Sequence, residues 1–244
     1  MVPSREELVK NAPREAVIDT RLGPVAIFAV HHASFILNFK RKFIFVDPAP
    51  PEDEPQFGAD FSALPKPDLI LYTHSHCDHY NAEVLQAIMG PETRIIAPAE
   101  VAAVIPEELR SKVLVMANGG TASLLGVGIE AVPMYNTGAD RAKYHPKGMG
   151  NGYVLTIGEK RIYIAGDSDE TPEVAHLPNI DVAFLPLNIS HGTTLEAIVQ
   201  WVKKFKPAVV YPYHIRNAHG TVAELRAFAT DVGSDSLVML LRWY

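Results

Sequence analysis

The chain has 244 residues, 48% of them hydrophobic and 20% charged, which is enough for a globular protein with a full core. Its formal net charge is −6 and it has no basic stripe, so nucleic-acid binding is disfavoured. No run of 18 apolar residues predicts a membrane span. Residues 1–11 lack the apolar region of a signal peptide, so we expect a cytoplasmic protein, although a signal peptide removed beforehand would leave no trace.

The first part of the chain predicts a polar arm followed by three neighbouring strands. Residues 1–20 are polar, and we expect a short helix or arm on the surface. Apolar runs then predict strands at Val25–Val30, Ser34–Phe39 and Lys42–Val46. The Lys40-Arg41 pair indicates a hairpin turn, and residues 48–67, rich in proline, indicate a long ordered surface loop.

Three histidines and an aspartate are concentrated in the six residues from His74 to His79. They follow the apolar run 69–72, which predicts a buried strand, and they precede Asn81, a good N-cap for a helix. Alternating side chains of an extended segment share a face, so His74 and His76 point the same way. Such a cluster at a strand-to-helix turn is typical of a transition-metal site, with a hydrogen-bonded cluster capping the helix as the alternative.

The remainder of the chain predicts strands that alternate with helices. Strands are predicted at Arg94–Ala97, Val113–Met116, Ile129–Val132, Tyr153–Ile157, Arg161–Ala165, Asp181–Pro186, Val209–Tyr213 and Leu237–Leu241. Helices are predicted after Asn81, at Ala99–Val104, after Thr194 and at Val222–Ala229, and residues 134–152 are predicted as a loop. The mixture predicts two mixed sheets packed together with helices outside, in a single domain spanning residues 1–244.

Two more polar residues lie, like the first cluster, just after the end of a predicted apolar strand. Asp167 comes after the strand 161–165, and His214 follows the strand 209–213. Alone, Asp167 would be an ordinary turn residue and His214 an ordinary core histidine. Delivered to one sheet edge with the first cluster, they would complete a metal cage.

These motifs, in this order, resemble those of the metallo-β-lactamase-fold hydrolase superfamily. The matching segments are His74-x-His76-x-Asp78-His79, Gly166-Asp167 and Tyr213-His214, joined by His32-Ala33-Ser34 and Val46-Asp47-Pro48. Within the superfamily the chain is similar to the zinc-dependent hydrolase branch that includes ascorbate-phosphate lactonases. The resemblance covers nearly the whole chain, and it implies a four-layer αββα sandwich of two mixed β-sheets with the site at one edge between them.

The resemblance also implies a binuclear site, with zinc expected and manganese or iron as alternatives. His74 and His76 would serve the first metal. Asp78, His79 and His214 would serve the second, and Asp167 would bridge the two.

The chain departs from the family at the third histidine of the first metal. The family places that histidine after the strand that ends here at Val132, where this chain has Asn136. An amide oxygen is a weaker ligand than an imidazole, so the first site could be looser. His145 is the obvious replacement, but it could instead contact the substrate, with Lys147 pairing to an anion.

These features predict an enzyme that uses a metal-activated water on a small-molecule ester, lactone, amide or phosphodiester. Asp78 would orient the nucleophile or accept its proton, His32 would be a hydrogen-bonding partner, and His31 would be structural. The alternatives are a non-catalytic binding protein with a lapsed site at Asn136, and redox chemistry at a di-iron site. Substrate identity and oligomeric state are beyond the sequence.

Overall fold

The computed structural model describes residues 14–50, 59–187, 194–215 and 222–243. Within them the chain forms two seven-stranded sheets, each built from one continuous part of the sequence. The first sheet contains β1 (Glu15–Ile18), β2 (Val25–His31), β3 (Ser34–Phe39), β4 (Lys42–Val46), β5 (Leu69–Leu71), β6 (Arg94–Ala97) and β7 (Val113–Val115). The second contains β8 (Thr121–Leu124), β9 (Val127–Met134), β10 (Gly150–Ile157), β11 (Lys160–Ile164), β12 (Val182–Pro186), β13 (Val209–Tyr213) and β14 (Leu237–Val238).

Both sheets follow the same plan. In the first, β1 to β4 are antiparallel neighbours in chain order, and β4 to β7 are parallel. In the second, β8 to β11 are antiparallel and β11 to β14 are parallel. The carboxyl ends of parallel strands meet at one edge, which is where open α/β sheets place their sites.

Four α-helices and two short 3₁₀ helices connect the strands in the described part of the chain. The helices are α1 (Ala82–Ile88), α2 (Ala99–Val104), α3 (Leu195–Phe205) and α4 (Val222–Val232), and the 3₁₀ helices are Phe61–Ala63 and Glu107–Lys112. None of these helices has the length and apolar character needed to cross a membrane.

The side-chain alternation of the strands produces the layers. In β3, Phe35 faces the second sheet and Ile36 faces the outer side, as the two-residue period of a strand requires. Phe35 stacks on Phe184 of β12 with ring centroids 4.2 Å apart, so the sheets pack face to face. Leu85 of α1 packs in the outer cluster, and Trp201 of α3 is buried against the second sheet. The order of layers is helices, sheet, sheet, helices, which confirms the predicted αββα sandwich.

Most predicted elements are confirmed, including the hairpin at Lys40 and Arg41. Both residues have positive φ, 52° and 63°, as a two-residue hairpin loop matched to the strand twist requires. The single-domain assignment stays a prediction. The proline-rich loop 48–67 is described at both ends, but residues 51–58 lie outside the described residues.

Three predictions about elements were wrong, and one strand was missed. The predicted arm or helix contains the edge strand β1, while residues 1–13 lie outside the described residues. Strand β8 was not predicted, because its residues alternate between exposed and half-buried and it lacks an apolar face. Strand β10 begins at Gly150, inside the predicted loop, and β14 ends at Val238, not Leu241.

Candidate metal centre

The turn from His74 to His79 is held rigidly between β5 and α1. The backbone N–H groups of His79 and Tyr80 both donate to the carbonyl of His76, at 2.9 and 2.8 Å. Asn81 caps α1, since its side chain accepts a hydrogen bond from the Val84 N–H. The tight turn brings the rings of His74 and His76 to a centroid separation of 4.5 Å, so the predicted pair lies together.

His145, and not Asn136, joins this pair. One ring nitrogen from each of His74, His76 and His145 lies within 4.8 Å of the other two. Asn136 lies behind His145, where its Oδ1 is 2.7 Å from the His145 Nδ1. An amide oxygen only accepts, so Nδ1 carries the proton and Nε2 has its lone pair free. His145 is thus presented to the site as a ligand would be.

A second group is formed by residues from both sheets. Nε2 of His214 lies 3.3 Å from Oδ2 of Asp78 and 3.3 Å from Oδ2 of Asp167. Nε2 of His79 lies 3.2 Å from Oδ1 of Asp167. Asp167 also approaches the first group, because its Oδ2 is 3.6 Å from Nε2 of His145. The aspartate expected to bridge therefore lies between the two groups.

The polar atoms that converge here make no hydrogen bond of good geometry within the described part of the chain. Five buried atoms are in this position, namely Nε2 of His74, His79, His145 and His214, and Oδ1 of Asp167. Buried polar atoms are normally paired, and leaving them unpaired is costly. Imidazole nitrogens and carboxylate oxygens converging from several directions are the donor set of a divalent transition metal. The residues present fit such an ion.

His32 differs from these residues because its Nε2 is paired. It lies on the β2–β3 turn with φ 52°, and its Nε2 is 3.2 Å from Oδ2 of Asp78. The backbone N–H of His214 donates to the carbonyl of His32 at 3.2 Å, so His32 also joins the two sheets. Burial, and next the neighbouring His214, lower the pKa of His32 to about 4. This is the hydrogen-bonding position expected for it.

The charges within the centre suit a cation. Burial alone would raise the pKa of Asp78 and Asp167, but the neighbouring imidazoles outweigh it and lower both values below the usual range. Burial, followed by the nearby charge of His79, lowers the pKa of His74 well below its ordinary value. Two carboxylates that stay ionised beside a neutral His74 suit a cation. Burial alone would lower the pKa of His79, but Asp167 and Asp78 outweigh it and raise that pKa well above its ordinary value, so a metal bound there would displace a proton.

Sequence reasoning missed Asp47 and Thr73, which orient two of the histidines. Asp47 is fully buried, and its Oδ1 accepts the backbone N–H of Thr73 at 2.7 Å. Its Oδ2 accepts the Thr73 hydroxyl at 2.6 Å and faces Nδ1 of His79 at 2.8 Å. The Thr73 Oγ1 lies 3.0 Å from Nδ1 of His74. Asp47 thus fixes His79 directly and His74 through Thr73, leaving each Nε2 free. Its position at a strand exit, like that of Asp167, was the available signal.

The remaining candidates lie around the centre. Lys147 is paired with Glu173 at 2.6 Å and lies 4.9 Å above the Tyr135 ring, so its charge already has a carboxylate partner. Cys77 lies between His76 and Asp78, a position that predicts a small buried filler; the structure corrects this, because Cys77 is exposed. His176 is exposed on the surface. His191 and His219 lie outside the described residues, as does the whole segment 188–193.

Comparison with known proteins agrees with this geometry. The family model for the β-lactamase superfamily domain matches residues 43–215, which include every ligand candidate named above. The chain belongs to the metallo-β-lactamase superfamily. It is 30% identical over 216 residues to a UPF0173 metal-dependent hydrolase of Pyrococcus abyssi, covering 86% of this chain and 93% of that one.

Solved structures give the same result. A protein of Parabacteroides distasonis described as a metal-dependent hydrolase is 34% identical, with a TM-score of 0.81 over 94% of this chain and 99% of that one. CmlA, a diiron β-hydroxylase from Streptomyces venezuelae, is 17% identical with a TM-score of 0.65, covers 95% of this chain and 54% of its own, and shows the fold alone. The 244-residue chain is therefore a metal-dependent hydrolase of the metallo-β-lactamase superfamily. The narrower likeness to ascorbate-phosphate lactonases stays a prediction.

Proposed function

We propose that this protein hydrolyses a small-molecule ester, lactone or phosphodiester in the cytoplasm with two divalent metal ions, zinc in the first instance. One observation carries the proposal: five buried ligand atoms without a hydrogen-bond partner in the described chain converge here, and the Asp167 carboxylate lies within 3.6 Å of His79, His145 and His214. A structural zinc site closes four ligands around one ion, whereas two adjacent groups with a shared carboxylate are the arrangement of a binuclear hydrolytic centre.

The residues divide between two positions. His74, His76 and His145 would hold the metal at what we call the first position. Asp78, His79 and His214 would hold the metal at the second position, and Asp167 would contact both. When bound, such metals acidify a water towards neutral pH and polarise the bond to be cleaved.

The chain's own groups prepare this chemistry. Asp47 and Asn136 accept hydrogen bonds from the Nδ1–H groups of His79 and His145, so the opposite nitrogens face the centre. Asp78 would orient the attacking water, and the contact of His32 with its Oδ2 would hold the carboxylate in position. His145 also counts against the alternative of a non-catalytic binding protein with a lapsed site. It supplies the third imidazole of the first group, which Asn136 does not provide.

The first test is the number of metal ions per chain in wild type and in His145→Ala. Elemental analysis of protein purified without chelator should give close to two ions for wild type and about one for His145→Ala. His176→Ala is the matched control, because His176 is an exposed histidine whose Nδ1 contacts only the Pro172 carbonyl among the described residues. It should keep both ions.

Turnover is the second readout, measured on a panel of esters, lactones and phosphodiesters. His145→Ala and Asp78→Asn should each lose activity by orders of magnitude while remaining folded, because each removes a group that contacts the metals or the water. Two retained ions in His145→Ala, or full activity in Asp78→Asn at verified metal content, would contradict the assignment of that residue.

A further inference from the structure

Residues 135–147, which we call the His145 loop, deliver His145 to the first position. The loop connects β9 to β10 and contains no strand or α-helix. Its own backbone hydrogen bonds are short-range or internal, such as Asn136 N to His145 O at 3.0 Å and Tyr144 N to Arg141 O at 2.8 Å. A segment of this kind has many accessible conformations, so the contacts that anchor it decide where His145 lies.

One neighbouring segment supplies those anchors. Within the described chain, the hydrogen bonds that link the His145 loop to residues outside β9 and β10 all end on residues 167–173. Asn136 donates from Nδ2 to the Asp167 carbonyl at 3.0 Å, and the Asp169 N–H donates to the Tyr135 carbonyl at 3.0 Å. The turn that carries the shared ligand Asp167 is therefore also the support of the loop.

Asp169 is the buried charge in this support. Only 3% of its surface is exposed. Its Oδ1 accepts Arg141 Nη1 at 3.0 Å, and its Oδ2 accepts the Thr137 N–H at 2.8 Å and faces the Thr137 hydroxyl at 3.4 Å. Both oxygens are thus bonded to the His145 loop, at points four residues apart. A buried carboxylate that loses one of these partners is left uncompensated, which is strongly unfavourable.

We infer that Asp169 is a positioning residue for the first metal position alone. It fixes the His145 loop through Thr137 and Arg141, so His145 reaches His74 and His76 only while this contact holds. The second position depends on it less, because Asp78, His79 and His214 lie on turns that Asp169 does not contact in the described chain. Only the shared ligand Asp167 lies on the same turn as Asp169, and no hydrogen bond joins their two side chains among the described residues. The inference rests on the proposed binuclear centre and adds a residue that controls half of it.

The same loop offers a matched control. Lys147 and Glu173 form another ion pair between the loop and residues 167–173, at 2.6 Å. Their side chains are 62% and 34% exposed, against 25% and 4% for Arg141 and Asp169. Exposed ion pairs contribute little, so Lys147→Met should leave His145 in place.

The experiment titrates zinc into metal-free full-length protein and then locates the ions by anomalous diffraction from zinc-loaded crystals. Asp169→Asn keeps the size of the side chain and removes its charge, and Arg141→Met removes the partner. Each should weaken zinc at the first position by about 10- to 100-fold, the usual effect of losing support behind a ligand, and leave the second within twofold. Lys147→Met should leave both within twofold.

A rescue separates positioning from general damage to the fold. Excess zinc should restore the anomalous peak at the first position in Asp169→Asn, and turnover with it, whereas a misfolded chain would regain neither. Equal weakening at both positions, or no weakening in either Asp169→Asn or Arg141→Met, overturns the inference. If the zinc titration of the wild type shows a single binding phase, and His145→Ala leaves that phase unchanged, the proposed centre itself is overturned, and the inference with it.

Discussion

Asp47→Asn should weaken both metal positions at once, in contrast to Asp169→Asn. Asp47 accepts from the Thr73 N–H, from the Thr73 hydroxyl and from Nδ1 of His79. An asparagine must keep its oxygen towards the Thr73 N–H, because a donor cannot face a donor. Its NH₂ then occupies the place of Oδ2, so Nδ1 of His79 has to accept a hydrogen bond and not donate one.

The substitution therefore reverses the tautomer of His79, and of His74 behind it. The new NH₂ also donates to the Thr73 Oγ1, which frees the hydroxyl proton to bond Nδ1 of His74 at 3.0 Å. Both rings would then carry a proton on Nε2, the nitrogen that a metal needs. Loss of such support costs about 10- to 100-fold in metal affinity, or roughly 1.4–2.7 kcal/mol at each position.

Zinc titration and thermal unfolding measure the effect. Since binding to the folded state stabilises it, weakening both positions should lower the melting temperature of the zinc-loaded protein by roughly 6–20 °C. Asp68→Asn is the control, because Asp68 also accepts from one backbone N–H and one side chain, those of Phe43 and Lys42, on the same sheet. Wild-type affinity at both positions in Asp47→Asn would refute the tautomer argument.

Two further predictions concern the surroundings of the centre. Gly150→Ala should destabilise the fold by about 1–3 kcal/mol in denaturant unfolding, since a Cβ there would lie 2.3 Å from the Met134 Cε and 3.1 Å from the Thr73 carbonyl; an unchanged midpoint would contradict this. The hydrogen bond from Lys147 lowers the pKa of Glu173 to about 2. The contribution of the ionised Glu173 to the stability of the fold is therefore complete above pH 4.5 and is lost as the pH falls through 2. Wild type should exceed Glu173→Gln in stability at pH 5, and a difference that persists at pH 2 would exclude this cause.

The sequence predicted the parts of the centre that short-range geometry determines. His74 to His79 are neighbours on one strand-to-helix turn, and Asp167 and His214 follow apolar strands whose ends meet at one edge. Short-range geometry could not decide whether Asn136 or His145 completes the first group. It depends on a loop that folds back so that Asn136 N reaches His145 O, and nothing local specifies that contact.

The supporting residues and the edge strands were missed for related reasons. Asp47 and Asp169 have the sequence appearance of turn residues, and only packing shows that Thr73 and Arg141 fill their oxygens. In β1, Val17 is 61% exposed, so this edge strand lacks the buried apolar face on which strand prediction depends.

The repeated plan of the two sheets has a consequence for how the centre forms. The fourth strand of each sheet, β4 or β11, is closely followed by an aspartate: Asp47 comes directly after β4, and Asp167 comes three residues after the end of β11. These two carboxylates lie on opposite sides of one ring, at 2.8 Å from Nδ1 and 3.2 Å from Nε2 of His79. His79 thus links the two sheets through one contact to each aspartate. Each sheet supplies only part of the ligand set, so both metal positions can be completed only after the two sheets have packed together.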